Sequence, residues 1–455
     1  MATTPTSSRG TWNTKLGFIL AAAGSAVGLG NIWGFPTQVA DNGGAAFILI
    51  YLICCIIIGF PVMVAELTIG RRTQKNPVGA FKALSNGNRF VPLIGYWGVL
   101  CGVMILSFYI VISGWTLAYV FEEILFYFNY DTAARYVGDL GNGPKNAAFS
   151  VLFMLMTILI VTGGVSRGIE RATKLLMPVL FIILFILIAY IFTLDGAMEG
   201  LAMYVMPDFS TIDGGLILSA MGQAFFSLSL GMGALITYGS YLNRKQNIVE
   251  SAAYVTAFDI CIAIIAGLLV IPAMFVAQSG GVQIFNPETG ELFSSVTLVF
   301  DVLPEMFHNV GGFIGMLLGI TFFILLGMAA LTSSISLLEV PVSYVIDEHG
   351  LQRKKAAWLV GGIVGAISIV VSFELGLIDL FVEIFNEVGL PLGGLAICLF
   401  LGYFWKSENA LIEMQDGYAD VKESRFSTVW VIFIKYITPL LIALVLISTI
   451  YSLYF

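Results

Sequence analysis

Eleven long apolar runs dominate the chain, and each is about long enough to cross a lipid bilayer. A spanning helix needs about 20 mostly apolar residues. Only 11% of the 455 residues are charged, against about 25% in soluble proteins, so lipid must cover much of the surface. A soluble enzyme is therefore excluded, and a net charge of −8 disfavours a nucleic-acid binder. The runs, called segments 1 to 11, lie near residues 16–40, 45–70, 91–127, 147–164, 174–194, 216–240, 252–277, 311–346, 356–373, 377–404 and 428–454.

The distribution of basic residues predicts the orientation of these segments. With a cytoplasmic N-terminus, all of the 21 lysines and arginines except Arg135, Lys145 and Lys435 fall on the cytoplasmic side. Positive residues concentrate on that side of membrane proteins. The first fifteen residues carry no signal-peptide pattern. We therefore expect a multi-pass protein of the cell membrane with its C-terminus outside.

Segments 1 and 6 each contain a glycine-rich interruption near the middle of the membrane. Segment 1 carries glycines at 24, 28, 30 and 34 followed by Pro36, and segment 6 carries Ser-Leu-Ser-Leu-Gly-Met-Gly at 227–233. Such glycines can serve close helix packing. A matching pair of broken helices, flanked by hydroxyl and amide side chains, instead favours a transporter whose binding site lies at the breaks.

The two histidines give no catalytic pattern. His308 lies in the polar loop 278–310, where short helices are expected to cap the outer side, and His349 lies in a cytoplasmic loop. Both are predicted to be solvated polar residues. With no other catalytic constellation in the sequence, we predict that the protein is not an enzyme.

At the interruptions the chain resembles the neurotransmitter:sodium symporter family. The matching stretches are GSAVGLGNIWGFP in segment 1, GQAFFSLSLGMGALITYGSY in segment 6 and ALTSSISLLEVP in segment 8. The resemblance implies an all-α LeuT fold in one domain, 1–455, with segments 1–5 (about 16–194) and 6–10 (about 216–404) as inverted repeats and segment 11 (about 428–454) outside them. It is greatest to bacterial members that have eleven segments and carry hydrophobic amino acids.

The resemblance also implies two bound sodium ions and no organic cofactor. Sodium is a hard cation and takes oxygen ligands. The spacing of Ala329, Thr332 and Ser333 puts a carbonyl and two hydroxyls on one helix face, and the family pattern joins them to Gly24 and Val27 as the second sodium site. The first site would comprise Ala26, Asn31, Ser227 and Asp259. Many relatives have Asn at the last position, so the extra carboxylate predicts transport without chloride.

The same comparison implies a substrate site between the broken helices. Gly28 stands where amine transporters carry Asp, so an amino acid with its own carboxylate is expected, held near Gly28, Gly30 and Tyr109. Its side chain would meet mostly apolar residues, which favours hydrophobic amino acids. The predicted substrate residues are Ala26, Gly28, Gly30, Ile105, Tyr109, Phe226, Ser227, Ser229, Met232, Ser333 and Leu337.

Residues of the predicted gates follow from the family pattern as well. An inner gate would pair Arg9 with Asp347, next to Trp12, Ser240 and Tyr241. The outer gate lacks the usual ion pair and is expected to rest on Trp33, Tyr109 and Phe226. Gly168 and Pro178 predict that the inner end of segment 5 unwinds to admit water. Glu66 matches a family position near the first sodium site, and Glu339 has no predicted role.

Sodium-coupled symport by alternating access is the function that these features favour. A passive channel would need a continuous polar pore, and a sodium-dependent sensor would share the same binding site. The lipid bilayer, sodium and a hydrophobic L-amino acid are the expected partners. A monomer is the expected functional unit, and the oligomeric state, the preferred amino acid and any proton antiport stay open.

Overall fold

The computed structural model describes residues 10–284, 296 and 298–454, and this part of the chain is helical throughout its regular structure. Nine of its helices are long and apolar enough to cross a membrane, and a bent pair, Lys15–Ala26 with Gly30–Asp41, makes a tenth. The nine are Ala45–Thr73, Pro92–Tyr127, Gly143–Thr162, Val165–Ile191, Ile248–Ser279, Gly312–His349, Arg353–Phe373, Gly376–Phe404 and Arg425–Leu453. Short helices connect them at Pro77–Leu84, Asp131–Gly138, Ala197–Val205, Leu303–Val310 and Ser407–Gln415.

Segment 1 is interrupted where the glycines predicted it. Its first helix ends at Ala26, and Val27 has extended backbone (φ −73°, ψ 104°). The chain resumes as a wide helical turn at Gly30–Gly34 and continues without a gap as the helix Phe35–Asp41, which contains Pro36. The two halves are bent by 55°.

Segment 6 is interrupted as well, so both predicted breaks are confirmed. Its helices are Gly214–Ser227 and Ala234–Gly239. Between them Ser229, Gly231 and Gly233 have φ of +54°, +85° and +78°, a region that favours glycine. A β-carbon on Gly231 would lie 2.2 Å from the carbonyl oxygen of Leu390. Because neither half of segment 6 is long enough to span alone, the count of eleven spans stays a prediction.

Segment 5 begins earlier than predicted. The sequence placed its start near residue 174, whereas the helix runs from Val165 to Ile191. Two charged residues near its start are paired. Glu170 forms an ion pair with Lys174 (2.6 Å) and accepts hydrogen bonds from Asn13 N (2.8 Å) and Thr14 Oγ1 (3.0 Å). This helix is continuous through Gly168 and Pro178, so the proposed unwinding there stays a prediction.

The two longest helices frame the broken ones. Segments 3 and 8, Pro92–Tyr127 and Gly312–His349, pack against each other, and 78% and 61% of their most apolar stretches are buried. The corresponding share is 28% in segments 5 and 11, whose apolar surfaces are therefore left for lipid. Segment 1 packs on segment 8, and both contribute to the centre of the bundle.

A candidate substrate and sodium site at the two helix breaks

A cavity of about 30 Å³ lies where the two interruptions meet. All eleven residues predicted to contact the substrate line it, so the structure brings the whole predicted set together. Three further lining residues were not predicted: Ser25 beside the break in segment 1, and Asn386 and Leu390 from segment 10. The predicted set came from segments 1, 3, 6 and 8, and no residue of segment 10 was included in it.

Two glycines of segment 1 leave the space at this cavity. A β-carbon on Gly28 would lie 2.5 Å from Ser333 Oγ and 2.8 Å from the Tyr109 hydroxyl, and one on Gly30 would lie 2.7 Å from the Phe226 ring. Tyr109 also accepts a hydrogen bond from the backbone N–H of Leu29 at 3.2 Å. The unwound backbone, a phenol and a serine hydroxyl therefore share one small polar end of the cavity.

The remaining wall is largely apolar. Ile105, Met232, Leu337 and Leu390 line it together with the Phe226 ring, and the first four are buried. Ser229, held in the left-handed conformation, donates from Oγ to the carbonyl of Ser25 at 3.1 Å. That bond ties the break in segment 6 to the break in segment 1.

The five residues predicted for the second sodium site form a compact group of oxygen atoms. Thr332 Oγ1 lies 3.3 Å from the Val27 carbonyl oxygen and 2.9 Å from that of Ala329. Ser333 Oγ lies 3.2 Å from the Val27 oxygen and 3.5 Å from that of Gly24. Two hydroxyls and three carbonyls are ligands suited to a hard cation.

The side chains predicted for the first sodium site are directly hydrogen-bonded. Asn31 Nδ2 donates to Asp259 Oδ1 at 2.7 Å, and Ser227 Oγ donates to Asp259 Oδ2 at 2.8 Å. The Asn31 amide oxygen accepts from the N–H of Gly28 at 3.2 Å. All three side chains are buried. Ala26, the fourth predicted residue, lines the adjoining cavity.

Tyr51 in segment 2 joins this group, and the sequence analysis missed it. Its hydroxyl donates to Ser227 Oγ (3.1 Å) and lies 3.4 Å from Asp259 Oδ2. A buried carboxylate such as that of Asp259 needs several hydrogen-bond donors. This requirement indicates that a further donor is present, but the sequence does not show that it is Tyr51. Glu66, from the same segment, accepts from the N–H of Gly231 at 2.7 Å and so supports the break in segment 6.

Comparison with known proteins identifies the family. Residues 9–139 and 138–454 match the model of the sodium:neurotransmitter symporter family. The chain belongs to this family. It is 36% identical to an uncharacterised sodium-dependent transporter, YhdH, of Bacillus subtilis (strain 168), over 96% of this chain and 97% of the relative. It is 33% identical to an uncharacterised sodium-dependent transporter of Haemophilus influenzae, over 99% and 100%.

A solved structure supports the same assignment. The chain is similar to the crystal structure of MhsT in complex with L-phenylalanine, with a TM-score of 0.83, 42% identity and coverage of 97% of this chain and 100% of that one. The predicted LeuT fold is therefore confirmed. The protein is a multi-pass membrane transporter of a sodium-dependent symporter family and not an enzyme.

At the side predicted to be cytoplasmic, the predicted gate residues Trp12, Ser240 and Tyr241 lie together, and Asp347 contacts Asn76. Trp12 Nε1 donates to the Tyr238 carbonyl at 3.0 Å, and its ring packs edge-on against Tyr241. Ser240 Oγ donates to the Thr237 carbonyl at 2.6 Å. Asp347 accepts from the backbone and side-chain nitrogens of Asn76 at 2.9 and 3.0 Å. Arg9, its predicted partner, lies outside the described residues.

Glu339, to which the sequence gave no role, belongs to a buried ionic group beside this gate. It accepts a hydrogen bond from the Tyr241 hydroxyl at 2.6 Å and forms an ion pair with Arg353. Arg353 also donates from Nε to the Val161 carbonyl at 3.0 Å. A carboxylate in a membrane helix requires a charged or hydrogen-bonding partner. Arg353, which follows segment 8 in the chain, is that partner for Glu339.

An aromatic cluster that includes the predicted gate residue Trp33 also contains a residue that was not predicted. Phe300, in the helical turn Leu298–Val302, packs edge-on against Trp33 (ring centroids 5.8 Å apart) and Trp115 (5.6 Å). Tyr109 and Phe226, also predicted for this gate, line the cavity itself. Phe300 therefore adds a cap of aromatic rings to the predicted set.

The prediction that His308 is a solvated loop residue is wrong. Its side chain is 19% exposed and lies between Glu122 and Glu123 of segment 3. Its ring stacks on Phe126 with centroids 3.6 Å apart. Burial lowers the pKa of His308, but the two carboxylates outweigh burial and raise it to about 9.

Proposed function

We propose that the protein is a sodium-coupled symporter that imports hydrophobic L-amino acids, aliphatic and aromatic, by alternating access. One observation carries the proposal: a mostly apolar cavity whose single polar end is built from two broken helices and adjoins two groups of buried oxygen atoms. Such breaks serve ion and substrate binding in transporters.

The polar end of the cavity fits the backbone of an amino acid. Its carboxylate would meet the unwound backbone near Gly28 and Gly30 and the Tyr109 hydroxyl, where half-helix N–H groups favour an anion. The ammonium would face the carbonyls of Ala26 and Phe226 and the Ser229 hydroxyl. The L-phenylalanine bound to MhsT supports this class of substrate.

The apolar end sets the side-chain preference. A cavity of about 30 Å³ has room for about two water molecules, so an entering side chain has to displace Phe226, Met232 or Leu337. Met232 is unbranched and adapts to different shapes. We therefore infer a range from leucine to tryptophan.

Two sodium ions would be carried with the substrate. In the first group, rotation of the Asn31 amide would turn its oxygen toward an ion held between Ser227 and the Asp259 carboxylate. In the second group, the ion would replace the contacts of Thr332 and Ser333 with the carbonyls of segment 1. Each ion stabilises one conformation to the extent that it binds that conformation more tightly.

Transport without chloride follows from Asp259. A carboxylate at the bilayer centre costs about 2.5–3.5 kcal/mol on insertion scales. Here three donors, Asn31, Ser227 and Tyr51, surround that charge. A fixed anion beside the first sodium ion makes a second, exchangeable anion unnecessary. Uptake in gluconate medium should therefore equal uptake in chloride medium.

The topology and gates complete the proposal. We infer a cytoplasmic N-terminus and an extracellular C-terminus from the distribution of basic residues, and a monomer as the functional unit. Arg9 would pair with Asp347 at the inner gate. Unwinding of segment 5 around Gly168 and Pro178 would then admit water to the second sodium ion.

Uptake of labelled leucine, phenylalanine and tryptophan into proteoliposomes tests the function. We expect accumulation above equilibrium only with an inward sodium gradient. Equilibration without accumulation would indicate a channel or uniporter. Sodium-dependent binding without flux would indicate a sensor.

A further inference from the structure

Three ligand-type side chains converge beside the aromatic cap. Glu122 and Glu123 lie in the last turns of segment 3, and His308 lies in the helix Leu303–Val310 that follows Phe300 in the chain. His308 Nε2 is 3.4 Å from Glu123 Oε2 and 3.6 Å from Glu122 Oε2. One ligand atom from each of the three residues lies within 4.8 Å of the others.

The Glu123 carboxylate is buried without a hydrogen bond. Its side chain is 1% exposed, and neither of its oxygens has a hydrogen-bond partner among the described residues. A β-carbon on Gly319 of segment 8 would lie 2.2 Å from the carboxylate carbon of Glu123. The carboxylate therefore packs directly against the backbone of segment 8. His308 is the one described cationic partner of two carboxylates, and a protonated imidazole would balance one of their two charges. A divalent ion held by a neutral imidazole would balance both and would give the Glu123 oxygens a bonded partner.

The spacing of these atoms matches ligands of one metal ion better than hydrogen-bonded partners. A charge-assisted N–H···O contact is about 2.7–2.9 Å long. Ligands at about 2.0–2.2 Å from a tetrahedral zinc ion stand about 3.3–3.6 Å apart. The two measured N···O distances fall in the second range.

We propose that Glu122, Glu123 and His308 form a binding site for a divalent transition metal of the zinc class, with water as the fourth ligand. An imidazole with two carboxylates suits such an ion. Calcium takes six to eight oxygen ligands and magnesium an octahedron of oxygens, and three side chains that include a nitrogen meet neither need.

The surrounding charge favours a cation as well. The backbone next to Asp139 lies beside this group: a β-carbon on Gly138 would lie 3.3 Å from Glu122 Cγ, and the Gly138 carbonyl accepts a hydrogen bond from the Tyr119 hydroxyl at 3.0 Å. The stacking of His308 on Phe126, nearly parallel at 10°, fixes the imidazole plane. The site therefore combines an imidazole of fixed orientation with nearby acidic side chains.

The ion would tie the cap to segment 3. Phe300 and His308 belong to one stretch of chain, Leu298–Val310, and the Phe300 ring contacts those of Trp33 and Trp115. Metal binding at His308 would hold this stretch in place and slow transport. This consequence rests on the proposed function, whereas the binding site does not.

Zinc binding to the purified, chelator-treated protein in detergent tests the site. Equilibrium dialysis against zinc chloride, with metal measured by mass spectrometry, should give about one zinc per chain. His308→Gln and Glu123→Gln should reduce this to background. The chain has two histidines, and the exposed His349 supplies a matched control, since His349→Gln should still bind zinc.

Other outcomes would overturn the site. If the wild type binds no stoichiometric zinc, the metal site is refuted, and the three side chains are a protonated imidazole between two carboxylates. Binding retained in His308→Gln would place the metal elsewhere, and sulfur ligands in the X-ray absorption spectrum would assign it to a cysteine. If Glu123→Gln is not monodisperse, His308→Gln and the spectrum decide the question.

Uptake assays separate the two proposals. Zinc added outside proteoliposomes should reduce sodium-driven phenylalanine uptake severalfold in wild type and in His349→Gln. Zinc binding with unchanged uptake would overturn the effect on the cap and keep the site. Absence of sodium-driven uptake under every condition would overturn the proposed function, and the dialysis result would stand.

Discussion

A β-carbon on Gly28 would lie 2.8 Å from the hydroxyl oxygen of Tyr109. Gly28→Ala should therefore weaken phenylalanine binding at least about tenfold, or ~1.4 kcal/mol, because the new methyl group occupies the polar end of the cavity. Scintillation proximity binding at saturating sodium measures the effect. Gly222→Ala is the matched control, since a β-carbon there meets nothing within 4 Å. Equal affinities in both variants would contradict the proposed position of the carboxylate.

Asp259→Asn tests the first sodium site. The substitution keeps the shape but removes the one full negative charge that Asn31, Ser227 and Tyr51 surround. The sodium concentration for half-maximal substrate binding should rise about tenfold or more, corresponding to ~1.4 kcal/mol. The exposed Glu374→Gln should leave it unchanged. A sodium dependence like that of the wild type would remove Asp259 from the site.

Thr332→Val tests the second sodium site. It removes a hydroxyl that contacts the carbonyls of Val27 and Ala329 while keeping the side-chain volume. We expect loss of gradient-driven accumulation in proteoliposomes. Ser336→Ala is the control on the same helix, because the Ser336 hydroxyl bonds the Ser333 carbonyl of its own helix at 2.8 Å. Equal accumulation in the two variants would count against this sodium site.

The breaks could be predicted from the sequence because they depend on local chemistry, whereas the residues that line the cavity were predicted through the family resemblance. Gly28 and Gly231 lie where a β-carbon would meet other atoms of the protein at 2.2–2.5 Å, and the hydroxyls of Thr332 and Ser333 follow a helical spacing. These signals lie within single segments, so one sequence suffices to find them.

Contacts between distant segments left no such signal. Phe300 is one phenylalanine among 35, and nothing in its neighbours indicates that it meets Trp33. His308 has the sequence surroundings of an ordinary loop residue, and its contacts with Glu122 and Glu123 exist only in the folded chain. The predicted start of segment 5 near residue 174 was too late because the polar residues Arg167, Glu170 and Arg171 precede it. The helix includes all three, and Glu170 is paired with Lys174.

Asn386 should influence which amino acids are preferred. It lines the cavity, and its side-chain oxygen has no hydrogen-bond partner among the described residues. An indole N–H or a phenol could donate to it, whereas leucine and phenylalanine could not. Asn386→Leu should reduce the affinity for tryptophan and tyrosine about fivefold to tenfold and leave the affinity for phenylalanine unchanged. This loss corresponds to one net hydrogen bond, about 1 kcal/mol or slightly more. Competition against labelled phenylalanine measures this, and a uniform change for all four substrates would contradict it.

The buried pair of Glu339 and Arg353 should stabilise the fold only as a pair. Glu339 is fully buried and Arg353 is 14% exposed, so Arg353→Gln leaves a carboxylate with Tyr241 as its one described donor. Breaking a buried pair from one side costs about 3–5 kcal/mol. The double variant Glu339→Gln, Arg353→Gln removes both charges and should unfold at a higher temperature than Arg353→Gln alone.

Lys82→Gln is the control, because it breaks the more exposed pair with Glu348, where a loss of stability below about 1 kcal/mol is expected. Thermal unfolding in detergent orders the four proteins, and a double variant less stable than Arg353→Gln would contradict the role assigned to the pair.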